Sequence, residues 1–64
     1  MTLQEIKDAV NSGKNVCWKN EFYEVIVDKK GQWLIKCHMN GSCIGLTWSD
    51  DVTLNGKESD FFIN

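Results

Sequence analysis

The 64-residue chain has no proline, no arginine and a single histidine. Without proline, and without any serine- or glycine-rich run, nothing reads as a linker, so residues 1–64 are expected to form one domain. Without arginine the chain lacks the planar fork that grips phosphate or guanine at two points. Its seven lysines face nine carboxylates, a formal charge of -2, which argues against a protein held to DNA by summed phosphate attraction. No apolar run approaches the length of a membrane span, and Met1–Thr2–Leu3–Gln4–Glu5 lacks the basic-then-apolar order of a signal peptide. The expectation is a cytoplasmic protein with no membrane partner. Cys17, Cys37 and Cys43 are an odd number and cannot all pair within one chain, which fits a reducing compartment.

What is present is a globular composition. Hydrophobic residues make up 42% of the chain, and three Trp, three Phe and one Tyr supply much of the surface to be buried. A chain this short builds only a small core, so a partner or a second copy is a plausible contributor to its stability.

The first eleven residues carry a helix pattern. Thr2 and Glu5 have the three-residue capping-box spacing, and Leu3, Ile6, Ala9 and Val10 then recur on one face, which predicts a helix over 2–12 ending at Gly13. From Asn15 the signal is strand: Val16–Trp18, Phe22–Val27 and Trp33–Cys37 are β-branched or aromatic, separated by reversals at Lys19–Asn20–Glu21 and Asp28–Gly31. Tyr23, Val25 and Val27 share one face, and Trp33, Ile35 and Cys37 are the core face of the next strand. Asn40–Gly41 predicts a hairpin into a fourth strand, with Ile44, Leu46 and Trp48 on one side and Gly45 an anomaly on the other. The tail suggests Val52–Leu54, an Asn55–Gly56 turn and Phe61–Ile63 as a terminal hairpin. The fold class is therefore α+β: one N-terminal helix on an antiparallel meander of four or five strands, with an open barrel as the alternative.

No constellation reads as an active site. Cys17, Cys37, His38 and Cys43 lack the compact spacing of a zinc site, and Cys37 and His38 point to opposite sides of a strand, so neither a metal nor another cofactor is expected. Nor do adjacent cysteine and histidine form a nucleophile and base, and so no enzymatic activity is expected. Charge is lopsided: Asp50, Asp51, Glu58 and Asp60 stand against Lys57 alone from residue 43 onward. Beside them lie Trp48, Phe61 and Phe62. These seven residues other than Lys57 are the expected interaction surface of a small regulatory or inhibitory module that binds another protein, one with a basic surface, through apolar anchors and an acidic rim. The alternatives are a structural homodimer, or single-stranded nucleic-acid binding through Trp18, Tyr23 and Trp33 with Lys19, Lys29, Lys30 and Lys36.

Overall fold

The computed structural model describes every residue, Met1–Asn64. Helix α1 spans Leu3–Asn11, with Thr2 and Ser12 as its caps rather than its ends. The Thr2 side chain accepts from the Glu5 backbone N–H, and the Glu5 carboxylate accepts from the Thr2 N–H at 2.8 Å, so both orphan donors are satisfied. The Thr2 backbone N–H first, and the Thr2 side chain second, hold the Glu5 carboxyl below its usual range. Ile6 and Ala9 are buried on the face this helix turns to the sheet.

Five strands follow: β1 Val16–Trp18, β2 Asn20–Val27, β3 Trp33–Cys37, β4 Cys43–Gly45 and β5 Phe61–Ile63. All pairings are antiparallel, in the order β4-β3-β2-β1-β5. The sheet is open, with β4 and β5 at opposite edges, so the barrel alternative is set aside. The first reversal is tighter than the sequence suggests. Lys19 alone takes a left-handed conformation (φ 66°), Trp18 pairs with Asn20, and a bulge falls between Cys17 and Trp18. Between β2 and β3 the Asp28 carboxylate accepts the Lys30 and Gln32 amides, which fixes the turn.

The C-terminal third departs from the expected hairpin. β4 stops at Gly45, and the chain leaves the β3 edge and doubles back, with Thr47 bridging Leu54 and the Asn55 N–H donating to the Leu46 carbonyl. A side chain on Gly45 would meet the Thr47 carbonyl at 3.1 Å, which accounts for a bare α-carbon at this bend. Leu46 consequently drops into the core while Trp48 is left in water. The segment continues through Gly56 and a 3-10 turn, Glu58–Asp60, to the far side of the sheet, where β5 pairs with β1. Phe61–Ile63 therefore does not hairpin with Val52–Leu54. Instead it occupies the edge of β1 that β2 does not, pairing backbone groups that would otherwise stand open there.

The core cluster is Ile6, Ala9, Val16, Val25, Ile35, Leu46 and Phe61, flanked by Leu3, Trp18, Tyr23, Trp33 and Leu54. It is thus held between one sheet face and a cover made jointly by α1 and the 46–56 segment. Val27 shares the face of Tyr23 and Val25 but is exposed, since it lies at the end of β2. No helix is long and apolar enough to cross a membrane.

Candidate interaction surface

The seven residues expected to form one surface are divided among three places. Trp48, Asp50 and Asp51 share the loop that reverses the chain between Leu46 and Asn55. Glu58 and Asp60 sit in the 3-10 turn before β5, where the amino terminus donates to the Glu58 carbonyl at 2.6 Å and Lys19 donates to the Asp60 carbonyl. Phe61 and Phe62 are neighbours on β5 and face opposite ways. Phe61 is 3% exposed and belongs to the core, so its assignment as an outward anchor is corrected: its pairing with Trp18 places it on the covered face, with ring centroids 6.3 Å apart. Phe62 pairs with Cys17 on the other face and is 38% exposed.

The Trp48–Thr53 loop is built from its own hydrogen bonds. Trp48 N–H donates to the Thr53 carbonyl at 2.9 Å, and Asp51 N–H donates to the Trp48 carbonyl at 2.9 Å. The Asp50 carboxylate closes it from inside, accepting the Val52 and Thr53 amides through Oδ1 and the Thr53 hydroxyl through Oδ2. These bonds, the Thr53 hydroxyl first and then the two amides, hold the Asp50 carboxyl below the usual aspartate range. Asp51 takes φ 61°, a conformation aspartate tolerates better than most residues. The consequence is a fixed loop from which Trp48 and Val52 project, 61% and 72% exposed. Val52 was assigned to a strand on sequence grounds. The available signal was the Asp50-to-Thr53 spacing, which allows a side chain to cap the turn it begins.

Asp50 is thus spent on the loop's construction, and Asp51 is the acid that faces outward. Asp51 lines an open cleft of about 580 Å³, together with Lys7, Trp33, Leu34, Gly45 and Thr47. There the Lys7 ammonium lies 5.6 Å from the Trp33 ring centroid.

The residues of the nucleic-acid alternative are dispersed. Trp18 stacks edge-on against Tyr23 at 5.3 Å and has the Lys19 ammonium 4.5 Å from its ring centroid. Trp33 pairs with Val27, at the other end of β2 from Tyr23. Lys29 and Lys30 occupy the β2–β3 turn, while Lys36 pairs with Glu24 on the sheet face that the helix does not cover. The half-buried aromatics pack against the core rather than lining one groove.

Among the thiols, Cys17 and Cys37 are buried and Cys43 is exposed. Burial raises the Cys17 thiol above its ordinary range, and the nearby carboxylates of Glu24 and Glu21 add to this. His38 Nε2 lies 2.8 Å from Glu24 Oε1, so the imidazole meets a carboxylate rather than a thiol. No three His, Cys, Asp or Glu side chains converge as an ion-binding group would. Comparison with protein-family models, with curated proteins and with solved structures finds no match to this chain.

Proposed function

We propose that the protein is a non-catalytic binding module that engages another protein through the Trp48–Thr53 loop, with Trp48 and Val52 as the inserted anchors and Asp51 as the charged contact beside them. The observation that supports this reading is a loop held by five internal hydrogen bonds that nevertheless leaves its two large apolar side chains in water. Holding an indole outward on a rigid turn reduces the ordering cost of binding, and tryptophan in a desolvated pocket is among the strongest contributors to interface energy. One acid directed outward favours a partner with a basic rim, chiefly by raising the rate of encounter.

The test compares immobilised wild-type protein with the Trp48→Ala/Val52→Ala variant in native lysate of the source cells, with retained proteins quantified by mass spectrometry. A companion enriched near stoichiometry on the wild type and lost from the variant supports the reading. Equal retention on both, or none on either, overturns it. Both substitutions are at exposed positions, so stability is expected to stay within about 0.5 kcal/mol of wild type, which thermal unfolding checks.

A further inference from the structure

The sheet face turned away from α1 is not a polar surface. Cross-strand partners share a face, so the register places Glu24 with Lys36, and Ile26 with Leu34, on this side at the centre of the sheet. Cys17 of β1 and Cys43 of β4 extend the first row outward. Ile26 and Leu34 are outside the core cluster and only half-buried. The two charges of the row also have unused capacity. Glu24 gives one oxygen to His38, its other oxygen accepts nothing, and Lys36 has no ion-pair partner.

We propose that this face docks a second copy of the chain, forming an isologous dimer whose two-fold axis runs parallel to the strands, midway between β2 and β3. That operation lays β2 of one protomer over β3 of its partner. Ile26 then covers the partner's Leu34, and Glu24 meets the partner's Lys36, each contact occurring twice. The face is self-complementary in this register: apolar meets apolar, and acid meets base. An axis along β2 would instead set Glu24 on its own copy, a like-charge contact that disfavours that arrangement. Aligned packing of two twisted sheets about 10 Å apart accommodates side chains of these lengths. Leu34 borders the cleft that Asp51 also lines, whereas Glu24, Ile26 and Lys36 lie outside it, so the charge pair of this face is tested independently of the Trp48 loop.

The experiment is sedimentation equilibrium on four samples over a wide concentration range: wild type, Glu24→Lys, Lys36→Glu, and an equimolar mixture of the two variants. Circular dichroism first establishes that each is folded. Wild type is expected to self-associate, and each single reversal to weaken association by at least about tenfold, because both copies of the contact become repulsive. The mixture is expected to regain it, since a heterodimer of the two variants restores attraction at both contacts. The double variant Glu24→Lys/Lys36→Glu preserves the cross-strand pair within the protomer and is expected to dimerise like wild type. A wild type that stays monomeric, single reversals without effect, or a mixture that fails to recover would each overturn the proposal.

Discussion

A single glycine shows how residue-scale geometry is set from a distance. Gly56 sits at φ 143°, and a Cβ there would lie 2.8 Å from Trp18 Nε1 and 3.3 Å from its Cε2. The indole N–H is buried without a hydrogen-bond partner, because the bare α-carbon lets the ring close over that spot. Gly56→Ala combines a disfavoured backbone conformation with a contact that must displace Trp18 from Tyr23 and Phe61. The expected cost is about 2–4 kcal/mol, measured by denaturant unfolding. Gly41→Ala, at φ 73° but with open space around it, incurs only the backbone part and serves as the control. Equal losses at the two positions would show that the Trp18 contact carries no weight.

At the scale of the element, the Trp48–Thr53 loop depends on one ionised side chain. The Asp50 carboxyl has its pKa lowered in the folded protein by the Thr53 hydroxyl and the Thr53 and Val52 amides. Its contribution to loop order is therefore complete above the unfolded-state aspartate value, about 3.9, and is lost as pH falls through the depressed folded value. The Val52 and Thr53 amide resonances are expected to shift together in an acid titration, with a midpoint below that of a free aspartate. Asp50→Ala should abolish this transition while leaving the helix signal unchanged. A midpoint at or above the free value would mean that the carboxylate does not hold the loop. The helix is a simpler element: its capping box and apolar stripe are local in sequence, and the structure moves its ends by only one residue.

For the whole molecule, β5 decides whether the sheet has a closed flank. Phe61 is buried beside Trp18, and Phe62 next to it is on the outer face, so the two provide a direct comparison of inside with outside. Phe61→Ala is expected to cost about 3–5 kcal/mol, a large share of the total available to a chain this short. Phe62→Ala should cost far less. Chemical denaturation of both variants checks the contrast, and similar losses would contradict the placement of β5 against β1. The same tail covers the core, since Leu46 and Leu54 complete what α1 leaves open.

Short-range patterns of the sequence were enough to define the helix, the four-strand meander and the alternation of Val25 and Ile35 toward the core, because each depends on neighbours a few residues apart. They were also enough to separate Cys37 from His38, which period-two geometry sends to opposite faces. The path after Gly45 was not legible. Whether Phe61–Ile63 pairs with Val52–Leu54 or with β1 depends on which edge is left unpaired, and that is a property of the assembled sheet rather than of either segment. For the same reason Trp48 is left outward, with Phe22 and Phe62, while Phe61 is not. Trp48 and Phe61 lie in similar apolar and acidic surroundings in the sequence, and only the pairing of β5 with β1, which sets Phe61 beside Trp18 on the covered face, separates the exposed ring from the buried one.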